Sequence, residues 1–201
     1  ARTGLGLYDY LMSRRLPGGA RNRGLELATG EYVWIADGDD LIEWSAVPAI
    51  IDELKARSRI PLLMLDYQTV TPDGSVETIS FAGGKMKAWE CGVMAWHKVI
   101  RRDLYGKFRE GVYSEDIDWW MRQCLEREID FYRAPGIVGY TYRRLAPGSI
   151  TSTGADRTDG RNLRILDEIR TITDQASQLG RPKAFIDHLI WLFNQYDEGK
   201  V

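Results

Sequence analysis

Three carboxylates, Asp37, Asp39 and Asp40, stand within four residues, directly behind the apolar run Tyr32 to Ala36. Adjacent carboxylates repel, so such a group either faces water freely or shares a cation. Gly38 between them leaves backbone room for a phosphate or sugar to approach. A second acidic pair, Glu115-Asp116, opens a helical stretch. Unpaired N–H groups and the helix dipole favour negative charge there, which keeps a carboxylate ionised and usable as a base. The alternative is that Ser114 or Asp116 caps the helix. Arg21, Asn22 and Arg23 open a short helix ahead of the acidic run, a place that suits a phosphate or is an ordinary solvated face. Trp119, on the flank of the later helix, is either a platform for a sugar or a structural Trp. His97, among Trp96, Lys98 and Arg101, faces either a ligand or the interior, and His188 sits on an apolar helix face. Tyr140, Tyr142, Arg143 and Arg144, followed by Pro147-Gly148-Ser149, make a basic aromatic loop that covers a diphosphate or is a plain surface turn. Zinc spacing, Gly-rich nucleotide loops and Ser or Cys nucleophile motifs are absent.

The elements that must position these residues alternate between strand and helix, which is an α/β pattern. Tyr32 to Ala36 is an unbroken apolar run, suited to a strand covered on both faces, and ligands of open α/β sheets bind at the carboxyl ends of such strands. Ahead of it, Pro17-Gly18-Gly19 reads as a loop and Ala20 to Ala28 as a short helix; residues 7–15 suggest one or two helical turns. Leu41 to Arg57 predicts a helix, Leu62 to Tyr67 a strand, and Thr71-Pro72-Asp73-Gly74 a turn, with Gln68 to Ile79 a hairpin or an edge excursion. Ala88 to Ile100 fits strand or helix. Ser114 to Arg127 is the clearest helix, with Ile117, Trp120, Met121, Cys124 and Leu125 on one face. Phe131 to Tyr142 predicts strands broken at Pro135-Gly136. Two helices, Asp159 to Leu179 and Pro182 to Tyr196, close the chain.

With 201 residues, 44% of them hydrophobic, the chain has enough apolar material for one real core. A net charge of −2 argues against general nucleic-acid affinity. Two cysteines, one on an apolar helix face, make a reducing compartment the expectation, and no segment is long and apolar enough to span a bilayer. The expected location is therefore cytoplasmic, including the inner face of the membrane.

Taken in order, three segments resemble the family-two inverting glycosyltransferases. They are G-G-A-R-N-R-G-L-E-L-A-T-G-E-Y-V-W-I-A-D-G-D-D (Gly18 to Asp40), W-H-K-V-I-R-R-D-L with K-F-R-E-G-V-Y-S-E-D (Trp96 to Asp116), and Y-T-Y-R-R-L-A-P-G-S-I-T (Tyr140 to Thr151). The resemblance implies a mostly parallel, Rossmann-like glycosyltransferase-A sheet with flanking helices and a helical C-terminal tail. It divides the chain into a glycosyltransferase domain over residues 1–154 and a helical extension over 155–201. It implies a nucleotide-diphosphate sugar, UDP-linked by preference, with Mn²⁺ or Mg²⁺, and a glycan or lipid-linked acceptor. Carried over by residue, Asp116 is the base with Glu115 beside it. Asp37, Asp39, Arg21, Asn22 and Arg143 bind the donor, and Asp39 with Asp40 holds the metal. Trp119, Trp96, His97 and Lys98 lie on the acceptor side. Family members begin with a β-α-β unit ahead of the block that starts here at Gly18, so the expectation is a piece of a longer enzyme. A non-catalytic sugar-nucleotide or glycan-binding remnant is the alternative. The last helix, with Phe185, Leu189, Leu192, Phe193 and Tyr196, is left three partners: its own domain, a membrane surface or a second subunit.

Overall fold

The structure, a computed structural model, describes residues 17–57, 59–81, 84–87, 89, 92–110, 114–127, 130–144 and 161–197. The helical turns expected over residues 7–15 and the end of the basic aromatic loop, residues 145–151, lie outside these. Among the described residues, five α-helices flank one sheet: α1 (Pro17–Leu27), α2 (Val47–Ala56), α3 (Glu115–Glu126), α4 (Arg161–Gln178) and α5 (Lys183–Asp197). The strands are β1 (Tyr32–Trp34), β2 (Leu41–Ile42), β3 (Leu62–Val70), β4 (Val76–Ile79), β5 (Gly84–Lys87), β6 (Lys98–Arg101) and β7 (Asp130–Arg143).

The strand path is β1-β6-β3-β7-β2, with β4 added to β3 and β5 to β7. The fold is α/β, and the sheet is mixed rather than mostly parallel. Strands β1, β3 and β7 run in one direction, but only β3 and β7 pair directly in parallel, because β6 lies antiparallel between β1 and β3. Leu62 to Leu65 is at most 1% exposed. Its alternate side chains enter two cores: Leu62 and Met64 face α3, α4 and α5, while Leu63 and Leu65 face Ile50 of α2. Cover on both sides is the reason the run shows no polar alternation.

Strand β3 turns into β4 through the expected hairpin, where Gly74 takes φ +83°. The expected break in β7 is a bulge inside a continuous strand. Pairing jumps from Leu65–Ala134 to Asp66–Val138. Buried Asp66 fixes the displaced backbone, accepting the Gly136 N–H at 2.8 Å and the Phe81 N–H at 3.0 Å. Beyond the bulge, Tyr140 and Tyr142 share a face and both stack on Trp96, at 4.7 and 5.5 Å between ring centroids.

Two expectations are corrected near the front of the chain. Leu41-Ile42 pairs with β7 as β2, and α2 begins only at Val47, with Pro48 in its first turn. Pro17-Gly18-Gly19 is helical, not loop. Gly18 is needed for close approach: a Cβ there would lie 2.5 Å from the Arg109 carbonyl and 3.3 Å from Glu115 Cγ. Gly18→Ala should therefore cost about 1–3 kcal/mol in urea denaturation through overpacking. A variant as stable as the parent would show that α1 can shift away from α3 freely.

Helices α4 and α5 share the larger core with α3 through Ile165, Ile169, Ile172, Phe185, Leu189 and Leu192. Phe185, Leu189 and Leu192 of the last helix are thus buried against this chain's own core, while Ile190 and Trp191 remain exposed.

Candidate active site

The acidic residues sit in the turn after β1, closed by the Asp40 N–H on the Asp37 carbonyl at 3.2 Å. The hydroxyl of Tyr140 organises it: it accepts the Asp37 N–H and donates to Asp40 Oδ2, each at 2.9 Å. Asp40 Oδ1 accepts the Arg143 N–H at 2.8 Å, and the Arg143 guanidinium reaches the Asp39 carbonyl at 3.3 Å. Burial pushes the Asp40 carboxyl up, against the hydrogen bonds it accepts from the Arg143 N–H and the Tyr140 hydroxyl. Both oxygens of Asp40 are thus engaged in holding the turn. Asp39 is exposed, and its carboxylate has no partner among the described residues.

Ser114 enters α3 from the left-handed region, φ +54°, and makes no side-chain cap. That backbone is costly for a residue with a Cβ. It delivers Glu115 and Asp116 at the amino end of α3, where the first-turn N–H groups favour negative charge. Asp116 accepts the Ile117 N–H at 3.0 Å.

Arg21 of α1 joins the two acidic groups. Its Nη2 lies 2.7 Å from Asp37 Oδ1 and its Nη1 donates to Glu115 Oε1. Burial works against the guanidinium charge, but Asp37 and Glu115 outweigh it and hold its pKa above the usual range. Burial pushes the Glu115 carboxyl up to about 7, with Arg21 opposing and Asp116 adding to the rise. Burial likewise raises Asp116, with Arg21 again opposing.

One cleft of about 1350 Å³ contains Arg21, Asp37, Asp39, Asp40, Glu115, Asp116 and Arg143. Its far wall carries Trp96, Tyr67, Tyr142, Ile79, Val93 and Met94. Four expected contacts are corrected by burial. Asn22 is 6% exposed and its amide is spent on the Phe108 backbone and Glu110. Trp119 is fully buried against Tyr105 and Phe108, and donates to the Gly106 carbonyl. His97 and Lys98 are also fully buried. Lys98 grips the carbonyls of Gly92 and Met94 and lies over the Trp120 ring, while burial holds His97 neutral. Trp96 does line the cleft, and both tyrosines stack against its ring.

Tyr140 was hidden as a functional residue within a basic aromatic stretch. The available signal was its period-two spacing from Tyr142 on a strand.

Among the described residues no three His, Cys, Asp or Glu side chains form a ready metal cage. The free carboxylate of Asp39 suits a divalent ion of the magnesium type, which keeps waters and takes one or two carboxylates plus substrate phosphates.

This fold is shared with solved structures of S. aureus TarS. S. aureus TarS 1-349 in complex with UDP-GlcNAc superposes with a TM-score of 0.70 at 17% identity, covering 91% of this chain and 53% of that one. TarS 1-349 in complex with UDP gives 0.63 at 18%, covering 89% and 50%, and S. aureus TarS itself gives 0.62 at 17%, covering 90% and 31%. The chain spans about half the length of the TarS 1-349 structures. No curated protein matches. Residues 8–102 match the family model described as glycosyl transferase family 2. Over residues 8–102 the chain is similar to the family-two glycosyltransferases, and its fold is that of the TarS structures. The matched residues contain the acidic turn and stop short of Glu115 and Asp116, whose place in the site rests on geometry alone.

Proposed function

We propose that this chain moves a sugar from a nucleotide-diphosphate sugar, a UDP-sugar by preference, to a hydroxyl of a glycan or lipid-linked acceptor with inversion. The observation that carries the reading is the Arg21 bridge from Asp37 to Glu115, which ties the acidic turn to the start of α3 within one cleft. Asp116 accepts the proton of the incoming hydroxyl. Glu115 is the weaker candidate, because it is 4% exposed and committed to Arg21. A base on the opposite side of the anomeric carbon from the leaving group gives a single displacement. Arg143 and Arg21 supply positive charge near the departing diphosphate. Mn²⁺ or Mg²⁺ would be held at Asp39 and would neutralise charge developing on the leaving group. Trp96, Tyr67, Tyr142 and Ile79 offer an apolar wall to the acceptor sugar. Among the described residues no helix is long and apolar enough to cross a membrane.

The test is thermal melting with UDP and Mn²⁺. UDP at 100 times its dissociation constant should add about 2.7 kcal/mol of stability. The shift should need the metal and vanish in Asp39→Ala. A shift of equal size without metal, or in that variant, would take the ion away from Asp39.

A further inference from the structure

Arg21 stands between two carboxylates with different duties. Its side chain is 11% exposed and that of Glu115 is 6% exposed, so neither can turn to bulk water. The charged groups facing Glu115 are Arg21 from α1, Asp37 from the turn after β1, and Asp116 beside it on α3; Lys98 of β6 acts on Asp116. Three carboxylates thus share one guanidinium at the cleft floor. A diphosphate arriving in the same cleft brings further negative charge to that guanidinium.

We propose that Glu115 takes up a proton when a nucleotide-diphosphate sugar binds, so that the adjacent base, Asp116, keeps its charge. The inference rests on reading this cleft as the sugar-nucleotide site. Arg21 offers one face to Asp37 and the other to Glu115, and a phosphate that draws on it weakens its hold on both. The proton comes from solvent and goes to the Glu115 carboxylate. Burial already sets that group near neutrality, at about 7, so a modest loss of attraction is enough to protonate it. A neutral Glu115 no longer repels Asp116, which favours the ionised form of the base. Glu115 is then a charge-adjusting, positioning residue and not the proton acceptor of the reaction.

Calorimetric titration of UDP-GlcNAc into the protein at saturating Mn²⁺, in buffers of different ionisation enthalpy between pH 5.5 and 9, reads this directly. Both phosphates of that probe are diesters and do not titrate in the range. For a shift of about one pKa unit, uptake should peak at roughly half a proton between pH 7 and 8, and affinity should fall roughly tenfold from the acid to the alkaline side. Glu115→Gln should bind without proton uptake and with an affinity that no longer depends on pH. A flat proton balance in the parent overturns the proposal, and so does uptake that persists in Glu115→Gln. If that variant does not fold, the parent profile decides: a peak between pH 7 and 8 supports the proposal and its absence overturns it. Failure of the parent to bind either UDP-GlcNAc or UDP is a different result, which refutes the reading of the cleft and this inference with it.

Discussion

Asp116→Asn should retain nucleotide binding and lose sugar transfer, with kcat falling about 10²–10⁴-fold, the range expected when a general base is removed. Asn preserves the shape of the side chain, and its oxygen can still accept the Ile117 N–H that Asp116 accepts at 3.0 Å. The start of α3 should therefore stay in place. Nothing in the acidic turn depends on Asp116 for a hydrogen bond, since that turn is held by Tyr140 and Arg143. The melting shift with UDP and Mn²⁺ should accordingly match the parent, while UDP release from UDP-GlcNAc drops. In the parent, the rate should fall as pH decreases through a value above the ordinary aspartate 3.8, because burial raises Asp116 and outweighs Arg21. That acid limb should be missing from the residual activity of the variant. Parent-like turnover would remove Asp116 from the chemistry and turn attention to Glu115.

The sequence revealed what depends on local order and concealed what depends on distant packing. Asp37 to Asp40 could be located because a short apolar strand ends beside them, and α3 because its apolar residues recur at helical spacing. The inner role of Trp119 was not legible. Its flank position allows exposure in an isolated helix, but Tyr105 and Phe108 arrive from the preceding segment and cover it. The resemblance placed Lys98 and His97 on the acceptor side, whereas β6 is an inner strand and the ammonium finds carbonyls at Gly92 and Met94. Asn22 resembles a ligand residue beside Arg21 in sequence, yet the two diverge. Arg21 turns to the acidic groups, and Asn22 turns to the Phe108 backbone. The Arg21 bridge itself spans 94 residues to Glu115, a separation at which no periodicity argument operates.

Arg21→Met should be the most damaging single change to stability in the site, and its cost should depend on pH. The substitution keeps much of the aliphatic bulk and removes the cation that pairs with both Asp37 and Glu115. Breaking a buried ion pair from one side typically costs about 3–5 kcal/mol, because the partner is left charged and uncompensated. Here the remaining carboxylates can escape that cost by protonation. Glu115 is already raised to about 7 with Arg21 present, and Asp116 is raised as well; removing Arg21 moves both further up. A carboxyl whose folded pKa exceeds its unfolded value binds more protons in the folded state, so stability falls as pH rises from the unfolded value through the folded one. For Glu115 that window opens near 4.5. Urea denaturation of the variant should show the full deficit at pH 8.5 and much of it recovered at pH 5, while the parent changes less over the same interval. Nucleotide binding should be lost at both pH values, because Arg21 also supplies charge to the donor side. A deficit of equal size at pH 5 and pH 8.5 would mean that Arg21 acts by filling space against Phe108, whose ring centroid lies 5.3 Å from its guanidinium carbon, and not by compensating the carboxylates.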